Sequence, residues 1–405
     1  MQFAFKARNK GGGTTEGIRD SFDKLSLSRD LRAEGLTLFF AEPLKKGKFL
    51  EILSGINLVV SSVRLREKIV FSRNLSAMIS AGLTLSRAID ILEKQTANEK
   101  FKKIINSVSF NIKKGKTLSE SFSEYPKVFP PLFIAMVRSG EESGGLAKAL
   151  NEIASHLEQS YNLARKVRGA LIYPAIVVAA IIVIGILMLI YVVPTLTSTF
   201  KELNVELPAS TKFIIFISDL LANYTISFLS VLGFIGLLLF LFLKTKIGKR
   251  IFDFSILRLP VLGNLAKEVN VARTSRTLSS LIVAGVPITG ALSIVKDVLQ
   301  NFYYKETLDE AILRVEKGSP LSQVFKEKTF LYPVMVGEMM EVGEETGKLS
   351  DMLNDIAKFY EEEVDGATRD LSTIIEPVLM IVVGGAVGFF AVSMITPMYS
   401  IMNNV

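Results

Sequence analysis

The sequence predicts an all-α integral membrane protein: two repeated cytoplasmic helical-bundle domains, three transmembrane helices and a small α/β N-terminal segment. Three observations carry that prediction. The chain repeats itself at one fixed offset, three apolar runs are long enough to cross a bilayer, and the N-terminus opens with the alternation of a strand.

Composition narrows the class. Of the 405 residues, 49% are hydrophobic and 21% charged, and the mean hydropathy is +0.38. The first figure is high for a soluble domain and the second is too high for a compact transporter. Water-exposed helical domains joined to a few spans reconcile the two. The absence of cysteine excludes disulfides, thiolate metal sites and cysteine nucleophiles. The single histidine, His156, removes histidine metal clusters and argues against a serine–histidine triad. The opening "MQFAFKARNKGGGTTEG" has neither a long apolar core nor a small-residue cleavage site, so the N-terminus is expected in the cytoplasm.

Residues 1–45 read as strand, turn, helix and short strand. "QFAFKARNK" alternates, "GGGTTEG" is a turn, and "SFDKLSLSRDLRAEGLTLFFAEP" is a helix followed by a strand. No Gly-Lys-Ser/Thr follows the three glycines, so a phosphate loop is not supported. Residues 46–70 form a basic, mixed linker.

A shift of 203 residues then superimposes two long segments. Ser72, Arg73, Leu75, Ile79, Ala81 and Gly82 fall on Ser275, Arg276, Leu278, Ile282, Ala284 and Gly285. Gly115, Leu118, Ser119 and Phe122 fall on Gly318, Leu321, Ser322 and Phe325, while Pro130, Pro174 and Pro194 meet Pro333, Pro377 and Pro397. The repeats run over 71–197 and 274–400, which is internal duplication. Residues 71–170 make the first cytoplasmic helical domain and 244–373 the second.

Each domain leads into a span. Leu171 to Pro194 carries no charge over 24 residues, enough for ~30 Å of hydrocarbon, and Ile374 to Pro397 matches it with one charge near its start. Residues 226–243 form the third span. The segment 195–225 between them is read as an external loop and an interfacial helix, because Asp219 and Asn223 interrupt "FIIFISDLLANY". Arg165, Lys166 and Arg168 precede the first span, and Lys244, Lys246, Lys249 and Arg250 follow the middle one. Both clusters belong inside, which puts the C-terminal tail 398–405 outside. Topology thus absorbs most of the formal charge of +7, and no aromatic-and-basic groove points to nucleic acid.

Two acidic knots repeat at the same offset, "SGEESGGL" from Ser139 and "VGEETGKL" from Val342. Paired carboxylates often signal acid–base chemistry, but an active-site loop rarely occurs twice in one chain. Two readings stay open for Glu141, Glu142, Glu344 and Glu345. They are either a helix corner, with Ser143 and Thr346 capping the helix that follows, or a surface that contacts a partner. An oxygen cage for a divalent ion looks incomplete beside Arg87 and Gly145, and no metal or cofactor is expected. Pro174, Glu376 and Pro377 are the candidate functional positions inside the membrane. Glu376 has Tyr173 as its counterpart, and a carboxylate in an apolar span needs a partner or the headgroup layer.

Taken together, "MISAGLTL" and "LIVAGVPI", "GKTLSES" and "GSPLSQV", the two knots, Tyr173–Pro174, Glu376–Pro377 and the early "AEGLT" resemble one family. It is the inner-membrane protein F family, the platform proteins of type II secretion and type IV pilus assembly. The resemblance covers nearly the whole chain. It implies a non-enzymatic multi-pass protein of the inner membrane that is driven by a cytoplasmic hexameric assembly ATPase. It also implies pilin or pseudopilin subunits, an inner-membrane alignment subcomplex and membrane lipid as partners, and a homo-oligomer. Two rivals read differently. A membrane aspartyl peptidase needs two aspartates near spans, and only Asp219 qualifies. A channel or transporter needs polar groups from several spans, and these offer little beyond Ser, Thr, Asn223 and Glu376.

Overall fold

The computed structural model describes residues 2–9, 14–21, 23–33, 35–43, 63–202, 207–260 and 262–403. They group into two compact units, 1–63 with 96–104, and 64–95 with 105–405.

In the first unit β1 (Gln2–Asn9) pairs antiparallel with β2 (Thr14–Asp20) on one side and β3 (Leu36–Pro43) on the other. The described residues among 1–63 hold three strands and one helix, with a strand at Thr14–Asp20 where the sequence suggests a turn. "TTEG" opens β2, where β-branched threonines suit a pleated surface; the three glycines lie outside the described residues. Helix α1 (Lys24–Ala33) starts where Asp23 Oδ1 accepts the Ser26 amide at 2.6 Å and ends at Gly35, whose φ of 77° only glycine adopts cheaply. Leu27 and Leu31 of α1 bury against Phe5 and Ala7 of the sheet.

The duplication is visible helix by helix. The first repeat runs through α2 (Leu65–Ser80), α3 (Leu85–Gln95), α4 (Glu99–Lys113), α5 (Leu118–Ser123), α6 (Pro131–Glu142) and α7 (Leu146–Leu187). A π-helical turn at Met188–Val192 continues α7 into α8 (Val193–Glu202). After α9 (Ala209–Asn223), α10 (Thr225–Lys244) and α11 (Lys246–Arg258), the second repeat follows the same order. Its helices are α12 (Leu262–Val283), α13 (Ile288–Val298), α14 (Phe302–Glu316), α15 (Leu321–Glu327), α16 (Val334–Glu345) and α17 (Leu349–Asn403).

Aromatic side chains fill equivalent places in the two bundles. Phe122 packs on Phe129 at 4.1 Å between ring centroids and on Phe133 at 5.3 Å. The second repeat answers with Phe325 on Tyr332 at 4.5 Å. Where tyrosine replaces phenylalanine its hydroxyl is used: Tyr332 meets Thr274 Oγ1 at 3.3 Å. A buried hydroxyl without such a contact would be costly.

The sequence suggests a helix and then a separate span; the fold joins them. Helix α7 passes Pro174 unbroken, and α17 passes Pro377 and Pro397 to reach Asn403, so part of the expected C-terminal tail is helical. Pro194 follows the π-helical turn. A proline ring clashes with the carbonyl four residues before it in a regular helix, and a widened turn relieves that clash. Two helical stretches, Leu146–Phe200 and Leu349–Pro397, are long and apolar enough to cross a membrane, and only 6% and 11% of their most apolar windows is buried. So much exposed apolar surface needs hydrocarbon or a partner to cover it.

Candidate functional site

Each knot is a helix end. Helix α6 stops at Glu142 and α16 at Glu345, and the left-handed Gly144 (φ 70°) and Gly347 (φ 69°) turn the chain into the next helix. The hydroxyls serve the preceding helix. Ser143 Oγ donates to the Ser139 carbonyl at 2.7 Å and Thr346 Oγ1 to the Val342 carbonyl at 2.6 Å. The expectation that they cap the following helices is therefore corrected, because a hydroxyl at a helix C-terminus meets free carbonyls rather than free amides. Ahead of the glutamates, Gly140 and Gly343 let the next helix come close. A Cβ at Gly140 would lie 2.5 Å from Ala149 Cβ, and one at Gly343 would lie 2.9 Å from Leu349 Cα.

The two glutamates of a knot do different work. Glu141 accepts the backbone N–H groups of Leu118 (2.5 Å) and Ser119 (3.0 Å), which are the first free amides of α5. Glu344 accepts those of Leu321 (2.7 Å) and Ser322 (3.0 Å) at the start of α15, and the Ser322 hydroxyl at 2.5 Å as well. The knot and the "GKTLSES" or "GSPLSQV" segment, more than twenty residues apart, are thus one structure. Glu141 and Glu344 are half-buried, whereas Glu142 and Glu345 point to solvent. With its oxygens on amides, the first carboxylate is a cap and not a base awaiting a substrate.

A second repeated pair escaped the sequence reading. Arg73 pairs with Glu158 at the surface, and their counterparts Arg276 and Glu361 pair through two bonds of 2.9 and 2.8 Å. Arg276 also donates to Asn354 Oδ1 at 2.6 Å. The same 203-residue offset that matched Arg73 to Arg276 also matches the two glutamates, so the signal was present.

The bundles also touch each other within their unit. Ser139 Oγ donates to the Ala284 carbonyl at 2.5 Å, and Lys166 pairs with Asp365 at 2.9 Å. His156 of α7 is buried, with Ser280 Oγ of α12 at 3.4 Å from Nδ1 and Ser160 Oγ at 3.4 Å from Nε2. Burial, and then the Arg276 charge, push it down to about 4. Between about pH 6.5 and 4 the unfolded chain binds a proton that the native fold refuses, so this contribution is lost as pH falls. Unfolding should become about 2 kcal/mol easier from pH 7 to pH 5 on this account. His156→Phe, matching Phe359 of the second repeat, is expected to flatten that part of the profile in denaturant titrations at both pH values. An unchanged profile would remove His156 as its source.

Of the intramembrane candidates, Pro174 lies inside α7, and Glu376 and Pro377 lie inside α17, with Glu376 exposed. No ion pair reaches Glu376 among the described residues. Helix α9 is not isolated from the long helices. Ile214 buries with Val193, Phe200 and Met394, Thr211 Oγ1 donates to the Ser393 carbonyl, and Ser218 Oγ to that of Leu189.

Comparison with known proteins bears on this architecture. Residues 71–194 and 274–397 each match the family described as type II secretion system protein F. The chain is 38% identical over 400 residues to the type IV pilus assembly protein PilC of Thermus thermophilus, covering 99% of this chain and 98% of the relative. It is 33% identical to the protein of that name from Myxococcus xanthus, with coverages of 99% and 95%. It is 31% identical to type II secretion system protein F of Aeromonas hydrophila over 84% of this chain and 87% of that one.

Proposed function

The chain belongs to the type II secretion system protein F family, and from that premise we propose how its platform role in pilus or secretion assembly is carried out. A cytoplasmic assembly ATPase acts on the helical bundles, and the bundles pass that motion to pilin or pseudopilin subunits in the inner membrane. The carrying observation is mechanical. From each knot one helix runs out of the bundle, α7 for 42 residues into the apolar stretch as far as Leu187 and α17 for 55 residues through it. At 1.5 Å per residue these are levers of roughly 60 and 80 Å with no loop to absorb displacement.

Three spans fit this reading. The bundles pack on each other, so they share one side of the membrane, and the far ends of α7 and α17 share α9, so they lie on the other. The chain must then return once between α9 and α11, and α10 is the segment available. Reporter fusions after Phe254 should read cytoplasmic, and fusions after Leu207 or Val405 external. A cytoplasmic C-terminus would overturn the count.

The solvent-facing Glu142 and Glu345 are the partner contacts in this proposal, and Glu376 meets an incoming subunit within the membrane. Glu142→Lys with Glu345→Lys should insert and melt like the parent yet lose ATPase-dependent pulldown of pilins and most fibres. Glu376→Gln should likewise insert normally and assemble few fibres. Parental fibre yield from both variants would leave these carboxylates without a role in assembly.

A further inference from the structure

Between α7 and α17, just before both enter the apolar stretch, lies an open cleft of about 580 Å³. That is within the ~300–1,000 Å³ of ordinary ligand sites. Asn162, Arg165 and Lys166 form one wall, and Asp365, Thr368 and Arg369 form the other. These are the same positions of the two repeats, so the duplication places the cleft on the seam between its copies. Gly169 and Ala170 line the lower edge, one residue from Leu171, where the uncharged run begins.

The charges do not cancel. Asp365 is the one carboxylate in the lining, and both Lys166 (2.9 Å) and Arg369 (2.5 Å) share it. Arg165 has no ion pair among the described residues. One turn further along, the Arg168 charge acts on Arg273 of α12, which also has no ion pair among the described residues. Burial and then that like charge hold the Arg273 guanidinium below its usual range. The lining of the cleft thus sets Arg165, Lys166 and Arg369 against Asp365 alone, an excess of positive charge that would attract an anion.

We propose that this cleft is a binding site for the phosphate headgroup of an anionic glycerophospholipid. Arg165, Lys166 and Arg369 would meet the phosphate, and Asn162 the polar remainder, while Thr368 stays buried with its hydroxyl donated to the Asp365 carbonyl at 2.9 Å. Placement favours lipid over a soluble phosphate. Residues Arg165 to Ala170 climb about 8 Å of helix, close to the thickness of one headgroup layer. Directly below, Leu171, Ile172 and Ile176 are exposed, at 43%, 58% and 62%, and offer a continuous apolar surface for acyl chains. The site needs only that α7 and α17 enter a bilayer, so it stands or falls apart from ATPase coupling.

The test uses the full chain in neutral detergent, titrated with phosphatidylglycerol, phosphatidylcholine or inorganic phosphate, with bound lipid read by native mass spectrometry. Each basic residue near an anionic surface contributes about 1 kcal/mol, roughly fivefold in affinity. Arg165→Gln should weaken phosphatidylglycerol binding about fivefold, and Arg165→Gln with Arg369→Gln about 25-fold, with phosphatidylcholine binding unchanged. Lys246→Gln with Lys249→Gln removes the same charge elsewhere and should change it less than twofold. Equal losses from that control would reduce the site to general membrane electrostatics. Millimolar phosphate displacing the lipid would assign the cleft to a soluble anion. Either result overturns the proposal, as would unchanged binding in the Arg165→Gln variant, an exposed position where folding is not at stake.

Discussion

Glu344→Ala is expected to destabilise the second bundle by about 2–4 kcal/mol, whereas Glu345→Ala, its immediate neighbour, should change stability by less than about 0.5 kcal/mol. Glu344 accepts two backbone amides and a hydroxyl between 2.5 and 3.0 Å. Hydrogen bonds to a charged group contribute about 1.5–3 kcal/mol each in favourable settings, and partial exposure of this carboxylate scales the total down. Alanine would leave the Leu321 and Ser322 amides without that partner, and Pro320 has no side-chain oxygen to replace it. In the first repeat Thr117 already caps the Glu120 amide at 3.1 Å. Glu141→Ala should therefore cost less, nearer 1–3 kcal/mol. Thermal and denaturant unfolding of the full chain in detergent, followed by circular dichroism, would separate the three variants. Equal losses at Glu344 and Glu345 would contradict the division of labour within the knot.

Arg276→Met should lower stability by about 2–4 kcal/mol, and Arg73→Met, the same change in the other repeat, by no more than about 1 kcal/mol. The chemistry is identical and the surroundings are not. The Arg276 and Glu361 side chains are 13% and 18% exposed, against 54% and 42% for Arg73 and Glu158. A poorly solvated carboxylate that loses its only strong partner keeps its desolvation penalty, whereas an exposed one regains water. Asn354 loses its donor in the same step. The exposed pair should also weaken further in 0.5 M salt while the sheltered pair barely responds. Matching losses in the two variants would mean that burial does not set the energetics of this pair.

Much of the molecule was legible in the sequence. The fixed 203-residue offset located both bundles, and the helices keep it almost residue for residue, because a duplicated pattern of apolar positions and left-handed glycines repeats the same local geometry. Gly82 and Gly285, at φ 86° and 84°, end their helices where the sequence interrupts them. Of the three expected apolar runs, those at 171–194 and 374–397 fall in the two helical stretches long and apolar enough to cross a membrane. The strand at Thr14–Asp20 was missed because threonine and glycine serve turns and strands equally well.

What the sequence by itself determined was the set of local choices: where helices stop, which runs avoid water, and that everything happens twice. What only the tertiary structure decided was which carboxylate of each knot is a cap, which ion pair is sheltered, and that a basic cleft opens where the repeats meet. Local propensity acts between residues a few positions apart. Glu141 reaches Leu118 across 23 residues and Lys166 reaches Asp365 across two bundles. Such contacts depend on how helices pack against one another, and that is settled by burying apolar faces over the whole chain rather than by any single stretch of it.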